Sequence, residues 1–199
     1  MLDMSDEQAT GRGRVNQKQR TRRAIVEAAE RLAESGGEVT MPLVAREALV
    51  SEATAYRYFP DLASLLREAD DGTWPSPEEA LVPVADSTDP VERIAFAADF
   101  LYRGVLANQG AVRAMIAASV VRPTVHGRPG HRFGLIDAAL APVAGQLGAD
   151  ALAQLRRDLV VVLSADALFT LMDLCGLEPE AAIASGVETA RRLTRAATR

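Results

Sequence analysis

The sequence predicts an all-helical protein with two parts, a small N-terminal domain of three helices and a larger helical C-terminal domain. Apolar residues recur every three or four positions in most segments, and no segment alternates apolar and polar residues as a half-exposed strand would. Between residues 40 and 59, two short helical patterns flank a tight turn. The chain has 199 residues, of which 48% are hydrophobic, which is enough for both domains.

The first segment, residues 1–19, is predicted to be a basic arm. The stretch GRGRVNQKQRTRR contains no acidic residue, and its cations are Arg12, Arg14, Lys18, Arg20, Arg22 and Arg23. The whole chain carries a net charge of −5, so the residues that follow this basic segment are acidic overall. An isolated charge run of this kind is usually a solvated tag. Its role therefore depends on the domain that lies next to it in the chain.

The first helix is predicted from Arg20 to Glu34, and Gly36-Gly37 ends it. One face carries small and branched apolar side chains, namely Ile25, Ala28, Ala29, Leu32 and Ala33.

Residues 40–59 have the capping and turn residues of a helix-turn-helix. Thr40 is a good N-cap for the first short helix, and Pro42 is tolerated early in it. Leu49-Val50 forms the turn, and Ser51 is the N-cap of the second helix. Pro60 disfavours helical backbone at the preceding residue, which ends that helix. A helix-turn-helix places its second helix in the major groove of DNA, so residues 20–70 are predicted to bind DNA.

The side chains expected at the DNA fall into two groups. The major groove would receive Ser51, Glu52, Ala53, Thr54, Tyr56, Arg57 and Tyr58. Phosphate contacts would come from Arg14, Lys18, Arg20 and Thr40, since beside a DNA-binding domain a basic arm neutralises phosphates or enters the minor groove. Within the first group, Arg57 suits guanine and Glu52 suits cytosine, while the tyrosines suit phosphates.

Residues 20–70 resemble the N-terminal domain of TetR-type transcriptional repressors. The matching residues are Ile25, Ala28, Ala29, Gly36 or Gly37, Thr40, Val44, Ala45, Ala48, Val50, Ser51, Thr54, Tyr56, Arg57, Tyr58, Phe59, Leu65 and Leu66. Two positions depart from the family pattern, because Leu49 replaces the usual Gly and Leu62 replaces the usual phosphate-binding Lys. We expect the basic arm to compensate for that Lys. The resemblance implies a repressor that binds a near-palindromic double-stranded operator as a homodimer, and a small-molecule inducer that releases it.

Residues 71–199 are predicted to form the ligand-binding and dimerisation domain. Further helices are expected over residues 62–70, 77–81, 90–107, 111–121, 132–147, 151–175 and 179–197. Asp89 and Asp150 are the expected N-caps of two of them, and the RPTVHGRPGHR segment is an expected loop. Trp74 lies in a Pro- and Asp-rich linker, where it could pack at the junction of the two domains.

The last two of these helices are the expected dimer surface. Their apolar stripes consist of Leu152, Leu155, Leu159, Val162, Leu163, Leu168 and Leu171, and of Ile183, Val187, Ala190 and Leu193. Two such helices from each subunit can pair into a four-helix bundle, although both stripes could instead pack only against their own core.

The middle helices are expected to surround the inducer. Candidate lining residues are Phe96, Phe100, Tyr102, Met115, Phe133, Phe169 and Met172, each of which could equally be plain core. Candidate polar anchors, which could equally lie on a solvated face, are Asp99, Arg103, Arg113 and Asp166. Scarce charge on the inward faces favours an apolar or aromatic compound. The helix that begins near Asp89 is expected to transmit ligand binding to the N-terminal DNA-binding domain.

Other function classes have less support in the sequence. His126 and His131 lack further ligands at metal-binding spacing, so neither a metal nor a cofactor is expected. Ser119 and Ser164 have no evident His partner, which argues against an enzyme. Cys175 lies in a leucine-rich run and is predicted to be a buried thiol. The alternative is a helical carrier or enzyme whose head no longer binds DNA. No signal peptide or membrane-length apolar run is evident, so we expect a cytoplasmic protein.

Overall fold

The computed structural model describes residues 5–70, 74–121 and 130–199, with side chains from residue 16 onward except at residues 118 and 121. Over these ranges the fold is all-helical, as predicted. The helices are α1 (Ser5–Glu34), α2 (Met41–Glu47), α3 (Glu52–Tyr58), α4 (Leu62–Asp70), α5 (Pro77–Ala80), α6 (Pro90–Ala107), α7 (Gln109–Val121), α8 (His131–Leu140), α9 (Ala149–Val162), α10 (Ala165–Asp173) and α11 (Pro179–Ala197). Short 3₁₀ turns follow α5 at Val82–Val84 and α8 at Ala141–Val143.

Helices α1 to α4 form the head around one apolar core. Its fully buried side chains include Ile25, Ala28, Ala29, Val44, Ala55, Phe59 and Leu65. The small residues on α1 and α2 let the helix axes approach closely, and Phe59 fills the space beneath the end of α3.

Helix α1 is longer than the apolar pattern predicts. It begins at Ser5 rather than near Arg20, so the backbone of the basic arm is helical from Ser5 onward and continuous with the head. Extending a packed helix avoids the cost of nucleation, so solvated residues can continue it without an apolar face of their own. Apolar periodicity therefore misses this extension.

The caps of the helix-turn-helix are only partly as expected. Thr40 has the extended backbone of an N-cap, but its hydroxyl makes no capping bond, so that part of the prediction is wrong. The Ser51 hydroxyl accepts a hydrogen bond from the backbone N–H of Thr54 at 3.2 Å and caps α3 as predicted. Phe59 is extended, as expected of a residue before Pro60.

Helices α5 to α11 form the body, with α6 at its centre. Helix α6 packs against α11 along most of its length and against α8 on another side. The Tyr102 hydroxyl donates a 2.6 Å hydrogen bond to the backbone carbonyl of Val162, and burial raises the pKa of this phenol. Gly186 gives the ring its space, because a Cβ there would lie 2.6 Å from Tyr102.

Two predicted helices of the body are interrupted. The segment 151–175 is two helices, since Leu163 ends α9 and the Ser164 hydroxyl caps α10 by accepting from the N–H of Ala167 at 3.1 Å. Asp150 lies inside the first turn of α9 rather than at its cap. Helix α8 ends at Leu140, because Pro142 cannot donate to a continuing helix.

Most leucines of the apolar stripe on α9 and α10 pack within the monomer. The leucines at positions 155, 159, 163 and 168 are buried in the body core, whereas Val161 is 72% exposed. Cys175 is exposed rather than buried, which corrects the sequence prediction. Helix α10 ends at Asp173, and Gly176 then turns the chain with a φ of 68°, so the thiol no longer follows the buried face.

Helix α7 belongs to both cores. Ala111 is buried in the head core, and Ala114 and Met115 pack beside it. Val112 and Ile116 pack against the body core. Helix α7 packs extensively against α4 of the head, and it also contacts α1.

Candidate nucleic-acid interface and interdomain cleft

Helix α3 presents its polar face to solvent. Ala55 is buried beneath it, while Ser51, Glu52, Ala53, Tyr56 and Arg57 are exposed and Thr54 and Tyr58 are half-buried. The Ser51 and Thr54 hydroxyls lie 2.9 Å apart, which fixes both side chains at the start of the helix. The structure therefore places all seven major-groove candidates on one short helix and its cap.

The turn before α3 contains a strained residue. Leu49 has a φ of 56°, the left-handed region that favours glycine, and its side chain is 92% exposed. This is the position at which the sequence departs from the Gly usual in TetR-type repressors. The backbone keeps the turn despite the missing glycine, because Val50 donates to the Ala45 carbonyl at 2.9 Å.

The cations of α1 divide into two classes. Arg22 pairs with Glu68, donates to the Tyr58 carbonyl at 3.3 Å and lies 4.4 Å above the Phe59 ring. Arg23 pairs with Glu27 and Arg31 pairs with Glu47. Lys18 and Arg20 are exposed and have no carboxylate partner among the described residues. The Arg12 and Arg14 side chains lie outside the described residues.

A groove runs between α1 and α3. Gln17 and Lys18 form one wall, and Arg57 and Tyr58 form the other. Leu62, at the start of α4, packs against the head core rather than offering a polar group. Thr40 is half-buried at the start of α2, and its hydroxyl is not used for capping.

Residues 25–69 match the family model described as bacterial regulatory proteins, tetR family. The head is a TetR-family helix-turn-helix domain. A domain of this kind supports the conclusion that the protein is a DNA-binding transcriptional regulator. Across the full chain, no curated protein is a significant match.

A solvent-open cleft lies where the end of this TetR head meets the body. Its apolar wall consists of Leu101, Val105, Val112, Met115, Ile116, Leu163 and Ala165. Its polar rim consists of Asp70, His131, Arg132, Ser164 and Asp166, with Trp74 beside them. Its volume is about 80 Å³.

Trp74 organises the head side of the cleft. Its indole N–H donates to Asp70 Oδ1 at 2.9 Å, and its ring stacks on His131 with 5.4 Å between ring centroids. His131 Nε2 lies 3.1 Å from Asp70 Oδ2. Gly104 makes room for the indole, because a Cβ there would lie 2.2 Å from the Trp74 ring. The last residue of the TetR head is thus tied to the start of α8.

The predicted ligand residues do not converge on this cleft. Met115 lines it, and Phe100 reaches it only through an edge contact with Trp74, 6.0 Å between centroids. The other candidates lie elsewhere, namely Phe96 and Met172 against the body core, Tyr102 inside it, Phe133 in an exposed position and Phe169 beneath Arg113.

Most of the candidate polar anchors form surface ion pairs. Arg103 bridges Asp99 and Glu180, and its hydrogen bonds lower the pKa of Glu180. Arg113 pairs with Asp173 and lowers the pKa of that carboxyl. Asp166 alone lines the cleft.

Sequence reasoning missed several cleft residues. Asp70 and His131 belong to it, although they are far apart in the sequence, and only Trp74 carried a signal as a lone aromatic in a polar linker. His126 lies outside the described residues. Within the described part of the chain, no group of three or more His, Cys, Asp or Glu residues could hold a metal ion. None of the described helices has the length and apolar character needed to cross a bilayer.

Proposed function

We propose that this regulator is a cytoplasmic homodimeric repressor that leaves a near-palindromic operator when a small apolar or aromatic molecule binds the interdomain cleft. The observation that carries the proposal is continuity between the cleft and the head. Asp70 ends the last head helix and lines the cleft, and α7 packs into both cores.

On the DNA side, α3 would enter the major groove. Glu52 and Thr54 lie in its first turn and are exposed or half-exposed, so we assign them to base edges. Arg20, Thr40 and the arm residue Arg14 would contact phosphates, which set the register of the head on the duplex.

On the ligand side, the cleft offers an apolar wall and a polar rim. Its volume of about 80 Å³ is smaller than the roughly 150 Å³ cavity that binds benzene in an engineered protein. An aromatic inducer must therefore move side chains or the head to fit. A ligand that binds better when the cleft is wider shifts the population toward the arrangement that widens it.

The helix that transmits ligand binding to the head is then α7 rather than the helix that begins near Asp89. Helix α4 packs against α7, and Gly110 of α7 touches the turn after α1 so closely that a Cβ would lie 1.8 Å from the Gly37 carbonyl oxygen. A displacement of α7 would be transmitted to the head through these two contacts.

The dimer surface is assigned to the outer face of α9, α10 and α11. Val161 is 72% and Leu174 is 82% exposed, and the small residues Ala181 and Ala184 are also exposed on α11. Small residues allow a partner helix to approach, and a two-fold pair of heads reads a near-palindrome. The buried leucines at positions 159 and 163 are part of the monomer core instead.

DNA binding is tested by fluorescence anisotropy with DNA from upstream of the protein's own coding sequence. The wild-type protein should bind in a salt-dependent manner, and Glu52→Ala and Thr54→Ala should each cost about 1–3 kcal/mol of specific binding. Glu178→Ala, on the body, is the matched control. Failure of the wild-type protein to bind any duplex would favour the alternative of a helical carrier with a degenerate head.

Ligand binding is read directly from Trp74, the one tryptophan in the chain. Small aromatic compounds that enter the cleft should change its fluorescence, and Val112→Phe should weaken their binding by filling the wall. Val82→Phe, at an exposed position outside both the cleft and the proposed dimer surface, is the control. Operator DNA should weaken binding of a true inducer by the factor with which the inducer weakens DNA binding, on the order of 1–3 kcal/mol of coupling. Equal affinity with and without DNA would exclude the compound as an inducer.

A further inference from the structure

The groove between α1 and α3 has the chemistry of an anion site. Lys18 and Arg57 supply two cations, Gln17 supplies an amide and Tyr58 a phenol. None of the described side chains that line it is a carboxylate, although the chain has 27 acidic residues against 22 Lys and Arg. A groove lined by opposed cations attracts a single compact anion held between its walls.

Several other cations of α1 form ion pairs within the protein, whereas Lys18 and Arg57 form none with a described carboxylate. Three arginines of α1 have carboxylate partners within the protein. Lys18 is exposed, and the one described contact of the Arg57 guanidinium is with the neighbouring Tyr58 ring at 5.7 Å. A ligand therefore does not have to break an ion pair between either side chain and a described carboxylate.

The walls of the groove are held at a fixed separation. Arg22 extends from α1 to the Tyr58 carbonyl at the end of α3 and to Glu68 on α4. Its guanidinium also covers Phe59, which is buried in the head core. Fixed walls reduce the ordering cost of binding an anion between them.

We propose that this groove binds one phosphate of the DNA backbone between Lys18 and Arg57. The assignment rests on the proposed DNA-binding function and makes it more specific. It replaces the guanine contact that the sequence predicts for Arg57 with a backbone contact. Arg57 then fixes the register of α3, and Glu52 and Thr54 remain the base-reading side chains.

A shared phosphate has a distinctive salt dependence. One neutralised phosphate contributes a slope of about −0.9 to log K against log salt, which is roughly eightfold in affinity at about 0.1 M relative to 1 M salt. Loss of one of two cations on the same phosphate leaves it partly neutralised. Lys18→Ala and Arg57→Ala should therefore each change the slope by less than about 0.9 per head, and the double variant by about 0.9.

The experiment is a set of anisotropy titrations of the full chain with a mixed-sequence duplex of about 30 base pairs, over about 0.05–0.3 M KCl. The variants are Lys18→Ala, Arg57→Ala, the double variant and Lys18→Arg, and the slope is divided by the number of chains bound. Arg31→Ala is the control, because Arg31 is on the same helix but pairs with Glu47. Circular dichroism verifies that each variant is folded.

The outcomes separate this inference from the proposed function. The predicted subadditive loss, with Lys18→Arg and Arg31→Ala near wild type, supports the phosphate site. If the wild-type chain binds no duplex, the proposed function itself fails. If wild type binds but the double variant keeps its slope, or loses about 1.8 per head in two equal steps, the shared site is wrong. It is also wrong if Arg57→Ala keeps the wild-type slope.

Discussion

Replacement of Gly110 by alanine should separate the head from α7. A Cβ at this position would lie 1.8 Å from the Gly37 carbonyl oxygen and 3.0 Å from its carbonyl carbon. Ordinary contact begins near 3.4 Å, so the two backbones must move apart by about 1.6 Å. Neither atom is at the end of a flexible side chain, so the strain cannot be relieved by a rotamer change.

The expected cost follows from two opposing effects. Overpacking of this kind costs about 1–3 kcal/mol, while the better helix propensity of alanine returns at most about 1 kcal/mol. We therefore expect Gly110→Ala to lower the free energy of unfolding by about 1–2 kcal/mol. DNA affinity should also change, because the head takes a new position on α7.

Urea unfolding followed by circular dichroism measures the first effect, and anisotropy titration with duplex DNA measures the second. Gly145→Ala is the control, because no atom lies within 4 Å of a Cβ at that position. If Gly110→Ala is as stable as wild type and binds DNA equally well, the tight contact between α7 and the turn after α1 does not couple head and body.

Three further predictions concern single positions. Leu49→Gly should raise the unfolding free energy by about 0.5–1 kcal/mol by relieving the positive φ, whereas Leu49→Ala should leave it unchanged in the same urea titration. Leu163→Asp should unfold the body because the side chain is fully buried, while exposed Val161→Asp should keep its circular dichroism spectrum and dissociate the dimer in light scattering. Arg103 lowers the pKa of Glu180, so this ion pair contributes above the ordinary carboxyl pKa and is lost as the pH falls through the lowered value. Wild type should therefore lose more stability than Arg103→Gln between about pH 5 and pH 3, and parallel curves would contradict this.

The helix-turn-helix could be predicted because its determinants are local. Ser51 caps α3 through a residue three positions away, and Pro60 ends that helix through its immediate neighbour. Helix α4 also has its predicted bounds, Leu62–Asp70. Helix α6 has its predicted cap, because Asp89 accepts a hydrogen bond from the N–H of Val91 at 2.8 Å.

The sequence predictions were wrong where one local pattern is compatible with two different structures. An apolar stripe does not distinguish a dimer surface from a monomer core, so Leu159 looked available for a partner and is fully buried. Ser164 could lie within a helix or cap a new one, and it caps α10 because its hydroxyl reaches the N–H of Ala167. Arg93 of α6 was given no role from the sequence, yet it is buried and donates to the carbonyls of Val84, Ala138 and Ala139.

The helical class, the DNA-binding motif and its exposed face can be predicted from residue types and spacing, because helix caps, turn residues and apolar periodicity act over a few neighbouring positions. Which side chains share a site depends instead on how the helices pack. Asp70, Trp74 and His131 meet at the cleft, and Lys18 faces Arg57 across the groove. Such contacts depend on how α1, α4 and α7 pack, and packing is a property of three-dimensional shape that residue spacing along the chain does not encode.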